Sequence, residues 1–177
     1  MEKLLILCGP SGSGKTAVMD ELHRQYGLRE AASITDRPQR YPGELGHVFL
    51  SKQEFDILER TTPLLLPTTF AGYRYAQTKD ILDHSDILVL DPRGVQDIRM
   101  EYQARPVLVV GITAPNEILA ARMRKRGDSE ESVKRRIDHD EAVFCDLSNI
   151  CDMVMDDVDI KDAVSIIYSL LTRRKGT

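Results

Sequence analysis

Several features that would assign a chain to a membrane or secreted class are missing from this 177-residue sequence. No apolar run approaches the ~20 residues that a membrane-spanning helix needs. The N-terminal stretch carries one lysine and five apolar residues before a glycine, and this is shorter than a signal peptide. We therefore expect a cytoplasmic protein that does not contact a membrane.

Cysteine and histidine are also scarce. The three cysteines, Cys8, Cys145 and Cys151, are odd in number and lack C-x-x-C spacing, and the four histidines are scattered. Disulfide frameworks and zinc sites need paired or regularly spaced ligands, so this pattern argues against both. We expect buried, reduced thiols, and a Cys–His hydrolase has little support.

An excess of positive charge is absent as well. The chain has 24 Lys and Arg residues against 28 Asp and Glu residues, a formal net charge of -4. An acidic balance argues against a general nucleic-acid or membrane-surface binder. The hydrophobic content of 42% is ordinary for a globular protein. We expect a single domain that spans residues 1–177.

The segment from Gly9 to Thr16, GPSGSGKT, carries the clearest chemical signal. It matches G-x-x-x-x-G-K-[ST], a phosphate-binding loop whose glycines let backbone N–H groups turn inward around an anion. The lysine is expected to reach the β- and γ-phosphates of a nucleotide, and the Thr16 hydroxyl to bind Mg²⁺. The residues predicted to bind ATP are Gly9, Ser11, Gly12, Ser13, Gly14, Lys15 and Thr16. The alternative is a Ser/Gly-rich turn that matches by accident.

Hydrophobic patterning predicts an α/β fold with a parallel sheet that carries helices on both faces. Strands are predicted at 4–8, 28–34, 47–50, 87–90, 107–112 and 153–155, and helices at 15–26, 52–60, 94–102, 115–126, 129–147 and from 160 onward. This alternation is typical of a parallel sheet. The core stripe of the closing helix is predicted to be Ile160, Ala163, Val164, Ile167 and Leu171.

The stretch from about 33 to 77 departs from this alternation. Residues 63–76 are rich in β-formers and are broken by Pro67 and Gly72, which predicts antiparallel strands outside the main sheet. Within the same stretch, Arg37 and Arg40 lie three residues apart in a loop with flanking prolines. Arginine forks suit phosphate oxygens, although two solvated surface arginines would give the same pattern.

Two further groups of residues suggest phosphoryl chemistry. Asp91 follows a buried strand, where an acid can orient Mg²⁺ or simply cap the next helix. The segment 122–136, RMRKRGDSEESVKRR, has seven basic residues around an acidic turn. It could be a nucleic-acid patch, although it lacks aromatic residues for stacking. It could also be a solvated helix face, or a mobile lid hinged near Gly127 that closes over the transferred phosphoryl group.

Taken in order, these segments resemble the guanylate kinase family of nucleoside monophosphate kinases. The matching segments are GPSGSGKT, SITDRPQRYPGE, AGYRYA, VLD, RMRKRGDSEESVKRRI and DMVMDD. The resemblance implies transfer of a phosphoryl group from ATP, with Mg²⁺, to a small phosphorylated acceptor, GMP or dGMP by default. It implies a P-loop kinase core (1–32 and 78–177), an acceptor-binding insertion (about 33–77) and a helical lid (about 122–136).

The resemblance also implies roles for single residues. It predicts that the acceptor is held by Ser33, Arg37, Arg40, Tyr75 and Asp91. It predicts that the catalytic residues are Lys15, Arg122, Arg126 and Arg136. Thr16 is expected to bind Mg²⁺ directly, with Asp91 acting through water.

Some positions depart from the family pattern. Leu66 lies where the family has a glutamate that reads guanine, a second acid after Asp91 is missing, and His47 replaces a tyrosine. Two alternatives therefore remain open. One is the same chemistry on a ribose bisphosphate, with Arg74 and Arg93 as extra phosphate ligands. The other is a non-catalytic guanylate-kinase-like interaction module, against which the intact phosphate loop argues.

Overall fold

The computed structural model describes residues 2–173 of the chain. Its strands are β1 Leu4–Cys8, β2 Ser33–Thr35, β3 His47–Phe49, β4 Leu64–Phe70, β5 Tyr73–Thr78, β6 Ile87–Leu90, β7 Val107–Thr113 and β8 Met153–Asp156. Its helices are α1 Lys15–Tyr26, α2 Lys52–Thr61, α3 Lys79–Asp83, α4 Pro92–Glu101, α5 Asn116–Arg126, α6 Glu130–Val143, α7 Leu147–Ile150 and α8 Ile160–Thr172.

A parallel four-stranded sheet, in the order β6-β1-β7-β8, forms the centre of the molecule. All five residues of β1 are buried, because side chains on both of its faces are covered. Leu5 and Leu7 pack with residues of α1 and α8 on one face. Leu4 and Ile6 pack with residues of α3, α4 and α7 on the other. The expected α/β class, with helices on both faces of a parallel sheet, is confirmed.

A second sheet, in the order β3-β2-β5-β4, lies in the stretch that departs from the α/β alternation. Strands β4 and β5 pair antiparallel, as do β2 and β5, but β2 and β3 run parallel. The antiparallel strands expected within residues 63–76 are confirmed by β4 and β5, and the parallel pair of β2 and β3 makes the insertion a mixed sheet. The reason is the loop 36–46, which returns the chain to the start of β2 before β3 begins, so that Ser33 pairs with His47.

Several predicted boundaries are also wrong. The strand expected at 28–34 is reduced to β2 and a single bridge between Glu30 and Ile87. The helix expected at 129–147 ends at Val143, and α7 follows as a separate turn. Helix α3 was not predicted; it is only five residues long, and the Thr78 side chain caps it by accepting a hydrogen bond from Ile81 N.

Two predictions about burial fail as well. Ile160 is 40% exposed, because it is the first residue of α8, and the buried face of this helix begins only at Ala163. Cys145 is exposed, just beyond the end of α6, whereas Cys8 is buried. All three thiols are free, as expected. None of the helices within residues 2–173 has the length and hydrophobicity needed to span a bilayer.

The turn from β1 into the glycine-rich loop is set by close packing at Gly9. Its φ is +150°, and a Cβ built there would lie 2.0 Å from the carbonyl oxygen of Ile112 on β7. The contacted atom belongs to the backbone of a central strand and cannot move aside. Only glycine therefore fits where the loop leaves the sheet.

We predict that Gly9→Ala lowers the free energy of unfolding by about 3 kcal/mol or more, through steric overlap and backbone strain together. Chemical denaturation of the purified variant measures this. Gly43→Ala is the matched control, because Gly43 has a φ of +80° and open space around its Cβ position. It should lose only about 1–2 kcal/mol. Equal losses for the two variants would show that contact with β7 does not matter.

Candidate functional site at the phosphate-binding loop

The glycine-rich loop joins the end of β1 to the start of α1, so the N-terminus of α1 points into it. The Lys15 side chain is folded back across this loop. Its ammonium group donates to the carbonyl oxygens of Gly9 at 2.7 Å and Pro10 at 2.8 Å. Burial lowers the pKa of Lys15 to about 8, although the nearby negative charge of Asp140 acts in the opposite direction. The loop thus holds its own cation where a phosphate could bind.

A cavity of about 560 Å³ opens beside this loop. Six of the seven residues predicted to bind ATP line it: Ser11, Gly12, Ser13, Gly14, Lys15 and Thr16. The seventh, Gly9, lies against β7 and presents its carbonyl to the lysine instead. Side chains from α5 and α8 complete the wall. The volume and the inward-facing loop suit a polyphosphate ligand.

Arg122 lies on α5 at the edge of this cavity. Its guanidinium donates to the Ser13 carbonyl at 3.4 Å and to Asp157 Oδ1 at 2.9 Å. Asp157 itself follows β8 and has a φ of +47°. The arginine therefore reaches the loop while an acid at the end of the sheet partly neutralises it.

The other two predicted catalytic arginines share one acid. Arg126 Nη2 donates to Asp128 Oδ2 at 2.6 Å, and Arg136 Nε lies 3.8 Å from the same oxygen. Arg136 also reaches the loop, where its Nη1 donates to Ser11 Oγ at 3.3 Å. Asp128 lies in the turn between α5 and α6, next to the predicted hinge at Gly127. The structure thus brings both arginines to the same side of the loop.

A second, larger cavity of about 1,060 Å³ lies between the two sheets. Among the predicted acceptor ligands, Ser33, Arg40 and Tyr75 line it. Thr16 lines both this cavity and the one beside the loop. Asp91 lines a third cavity of about 660 Å³, and its side chain accepts from Gly94 N at 2.7 Å as the N-cap of α4. Asp91 therefore caps helix α4, which is the alternative role that the sequence left open.

Arg37 is placed differently from the other acceptor candidates. Its side chain is buried and forms a two-pronged ion pair with Glu44, with nitrogen–oxygen distances of 2.7 and 3.3 Å. Glu44 also accepts from Arg40 N at 2.8 Å. Hydrogen bonds from Arg37 and the Arg40 backbone lower the pKa of Glu44 to about 2. Glu44 therefore holds both arginines of the loop 36–46.

Ser33 has a side-chain partner across the β2–β3 pair. Its Oγ lies 2.8 Å from Nδ1 of His47, the residue that replaces a family tyrosine. The His47 ring also lies 5.9 Å from the ring of Tyr75. Burial lowers the pKa of His47, and the charge of Arg37 adds to the effect. The neutral form of the imidazole is therefore favoured, and its Nδ1 can donate to or accept from Ser33 Oγ.

The arginines considered for a second acceptor phosphate are otherwise engaged. Arg74 donates to Asp36 Oδ2 at 2.8 Å and to Asp56 Oδ1 at 2.7 Å, and it stacks on Phe55. The pKa of Asp36 is lowered, because hydrogen bonds from Arg74 outweigh the opposing effect of burial. The Arg93 side chain is 90% exposed and lies 4.0 Å from Asp97. Arg74 thus ties β5 to α2 within the insertion, and Arg74 and Arg93 both line the 660 Å³ cavity that contains Asp91.

Three site residues were not recognised from the sequence. Glu44 forms the ion pair with Arg37. Asp140 on α6 accepts a hydrogen bond from Ser11 N at 2.6 Å. Gln77 lines the larger cavity, and its buried Oε1 has no hydrogen-bond partner among residues 2–173. Spacing offered a signal for two of them. Asp140 follows Arg136 by four residues on one helix, and Gln77 follows Tyr75 by two on one strand.

Comparison with known proteins agrees with this geometry. A protein-family profile described as an AAA domain matches residues 5–143. The guanylate kinase of Gloeobacter violaceus is 33% identical over 149 residues, which cover 77% of this chain and 71% of that protein. The chain belongs to the guanylate kinase family.

This membership confirms the resemblance and the nucleoside monophosphate kinase type of phosphotransferase. The crystal structure of guanylate kinase from Anaplasma phagocytophilum matches with a TM-score of 0.63 and 19% identity over 96% of this chain and 84% of that one, which supports the fold. A bifunctional ribose 1,5-bisphosphokinase-thymidine phosphorylase of Cupriavidus pinatubonensis is 33% identical over 75% of this chain, but only 23% of that protein is covered. The ribose-bisphosphate and interaction-module alternatives are not favoured.

The ion pair of Glu44 generates a prediction about acid stability. A carboxyl whose pKa is lower in the folded state stabilises the fold above its unfolded pKa of roughly 4.3, and this contribution is lost as pH falls toward 2. We therefore expect Glu44→Gln to melt at a lower temperature than the wild type at pH 7. The difference between the two melting temperatures should shrink between pH 4 and pH 2.

Thermal unfolding across this pH range, followed by circular dichroism, is the measurement. Glu117→Gln is the control, because Glu117 is an exposed residue in the first turn of α5. It should melt like the wild type throughout. A Glu44→Gln deficit that persists unchanged at pH 2 would contradict the assignment.

Proposed function

We propose that the protein is an ATP- and Mg²⁺-dependent guanylate kinase, which transfers the γ-phosphoryl group of ATP to the phosphate of GMP or dGMP. One observation carries the proposal: Thr16, at the end of the phosphate loop, lines both the 560 Å³ cavity and the 1,060 Å³ cavity. A donor triphosphate in the first and an acceptor phosphate in the second would meet at this residue. This is the arrangement that direct transfer between two bound nucleotides requires.

The transfer needs no covalent enzyme intermediate. An oxygen of the GMP phosphate forms a bond to the γ-phosphorus, and the bond from that phosphorus to the β–γ bridging oxygen breaks. ADP leaves with the electron pair. Because the attacking oxygen is already anionic, the protein contributes position and positive charge.

Lys15 and the loop N–H groups are assigned to the β- and γ-phosphates. On ATP binding, the Lys15 ammonium group exchanges the Gly9 and Pro10 carbonyls, which it now contacts at 2.7 and 2.8 Å, for phosphate oxygens. Its low pKa in the free protein rises again when an anion arrives, so the bound lysine is charged. The catalytic arginines make a similar exchange, in which phosphate oxygens replace Asp157 and Asp128.

A magnesium ion would neutralise charge on the β- and γ-phosphates. The residues present fit such an ion, because Mg²⁺ keeps several waters and takes few protein ligands. Thr16 offers a hydroxyl inside the loop cavity, and the exposed Asp91 carboxylate follows the neighbouring strand β6. We assign Thr16 as a direct ligand and Asp91 as a ligand through water. The described part of the chain has no cluster of three or more His, Cys, Asp and Glu side chains that would hold a metal alone.

The acceptor is assigned to the cavity between the sheets. Arg40, whose side chain is 70% exposed, and Tyr75 are placed to bind the GMP phosphate. Arg37 would join them by exchanging part of its Glu44 ion pair for phosphate. The base would lie deeper, toward Ser33 and Gln77. Leu66 is 9% exposed in the same wall and offers no hydrogen bond to the guanine edge.

The segment 122–136 is proposed to act as a lid. It contains the end of α5, the turn at Gly127 and the start of α6, and it carries all three catalytic arginines. Movement about this turn would bring Arg126 and Arg136 onto the transferred group and exclude water. We also propose a cytoplasmic location, where ATP and GMP are available.

We predict that Lys15→Ala abolishes measurable phosphoryl transfer, a loss of about a thousandfold or more, because the lysine acts on charge that develops during transfer. ADP release from ATP and GMP measures this, and thermal unfolding shows that the variant is folded. Lys79→Ala, at an exposed position on α3, is the control and should keep wild-type turnover. A folded Lys15→Ala protein with wild-type turnover would remove the lysine from the mechanism.

The second prediction concerns the guanine edge. Leu66→Glu places a carboxylate on the cavity wall, where it can accept from the N1–H and 2-amino groups of guanine. A hydrogen bond to a charged group contributes about 1.5–3 kcal/mol, so kcat/KM for GMP relative to AMP should rise about tenfold or more. IMP lacks the 2-amino group and should gain less than GMP.

The wild type should prefer GMP over AMP and IMP only weakly, compared with other members of the family. Arg40→Ala, in contrast, should lower kcat/KM for GMP, IMP and AMP alike, because it acts on the shared phosphate. A wild-type preference for GMP over AMP above about a thousandfold would mean that other groups, such as Ser33 and Gln77, already read the base fully.

A further inference from the structure

A carboxylate on α6 contacts the phosphate loop from outside the ATP cavity. Asp140 is 9% exposed, and its Oδ2 accepts a hydrogen bond from the backbone N–H of Ser11 at 2.6 Å. Its other oxygen, Oδ1, lies 3.1 Å from Nδ1 of His139. The bond to Ser11 joins parts of the chain that are 129 residues apart. It is therefore a tertiary contact and not a local turn.

The placement of Asp140 separates it from the groups that contact phosphate. Ser11 lines the 560 Å³ cavity, whereas Asp140 is not among the described residues that line it. Arg136 lies four residues before Asp140 and so on the same face of α6. Its Nη1 donates to Ser11 Oγ at 3.3 Å. One face of α6 thus makes two hydrogen bonds to Ser11, one to its backbone N–H and one to its side-chain hydroxyl.

The electrostatic environment keeps this carboxylate ionised. Burial acts to raise the pKa of Asp140, but hydrogen bonding by Ser11 and His139 outweighs it, and the pKa lies below its usual value. A bond between an ionised acceptor and a backbone N–H is shorter and stronger than one between neutral groups. The bond is also directional, so it fixes where the peptide of Ser11 lies.

We propose that Asp140 is a positioning residue that sets the conformation of the phosphate-binding loop. By holding the Ser11 N–H, it fixes the start of the run of peptide groups that surrounds the ATP phosphates. It also ties the loop to the part of α6 that follows the proposed lid segment 122–136. The inference rests on the proposed function, because it assigns ATP to this loop.

The first test is ATP binding in the absence of acceptor, measured by titration calorimetry with Mg²⁺. Asp140→Ala removes the acceptor from Ser11, and we expect the Kd for ATP to rise about tenfold, the lower end expected for loss of a charge-assisted hydrogen bond. Asp140→Asn keeps an oxygen at the same position and should stay within about threefold of the wild type. The Kd for GMP should not change in either variant.

The matched control is Asp138→Ala on the same helix. The Asp138 side chain is 59% exposed and pairs with Lys134, away from the loop. This variant loses the same charge and should bind ATP like the wild type. If net charge were responsible for the effect, Asp138→Ala and Asp140→Ala would behave alike, and the inference would fail.

The amide proton of Ser11 gives an independent signature by nuclear magnetic resonance. A short bond to a carboxylate moves such a proton downfield. The resonance should be downfield in the wild type, move upfield in Asp140→Ala, and lie between the two in Asp140→Asn. A residue that only tied α6 to the domain would change the melting temperature without changing the ATP Kd.

Three results would overturn the inference. The first is a folded Asp140→Ala protein with the wild-type Kd for ATP. The second is tighter ATP binding by both Asp140→Ala and Asp140→Asn, which would make Asp140 a competing anion. The third applies if Asp140→Ala does not fold, and it compares two other variants. Asp140→Glu keeps the charge but displaces the oxygen, whereas Asp140→Asn keeps the oxygen without the charge. Tighter ATP binding by Asp140→Glu than by Asp140→Asn would show that charge, and not the position of the oxygen, is responsible.

The same data separate this inference from the proposed function. Wild-type protein that binds ATP but phosphorylates no GMP would overturn the function and leave the role of Asp140 standing. Wild-type protein that binds no ATP would overturn both. Normal turnover with no effect in Asp140→Ala would overturn only the role of Asp140.

Discussion

Concentrated positive charge around one loop is the constraint on which the rest of this site depends. A site that binds phosphates must gather several cations, and these repel one another when no anion is present. The protein supplies anionic partners of its own: Asp157 for Arg122 and Asp128 for Arg126 and Arg136 at this loop, and Glu44 for Arg37 in the separate loop 36–46. Lys15, which is half-buried, is held by backbone carbonyls. Under the proposed function, ligand binding would thus be an exchange of partners, in which each cation keeps an acceptor throughout.

This exchange has a consequence for specificity between anions. A single phosphate ion must compete with carboxylates that already contact the cations, so it gains little binding free energy at any one position. A nucleotide with several phosphates replaces several partners at once and gains from each exchange. The acids around the loop would therefore discriminate against inorganic phosphate without contacting it.

The parts of this structure that depend on local pattern could be predicted from the sequence. The alternation of apolar runs and amphipathic stretches gave the parallel sheet, and the spacing of glycines with Lys15 and Thr16 located the loop. The partners of the charged residues could not be predicted in this way, because they depend on which segments meet in space. Glu44 is near Arg37 in sequence, but Asp157 and Asp140 reach the loop from distant elements. The parallel pairing of β2 and β3 was missed for the same reason, since sequence alternation carries no information about strand direction.

The position of β1 in the central sheet has a consequence for the order of folding. β1 pairs with β6 and β7, whose residues follow it by about 80 to 100 positions. During synthesis β1 therefore has no neighbouring strand until residue 90 has left the ribosome, and it lacks the second until residue 113 has. Such non-local pairing carries a large loop-closure entropy and slows folding. The glycine-rich loop follows β1, yet the β7 backbone against which Gly9 packs is made roughly 100 residues later. Until residue 90 has emerged, five consecutive apolar residues lack a partner strand, and exposed apolar surface of this kind favours aggregation.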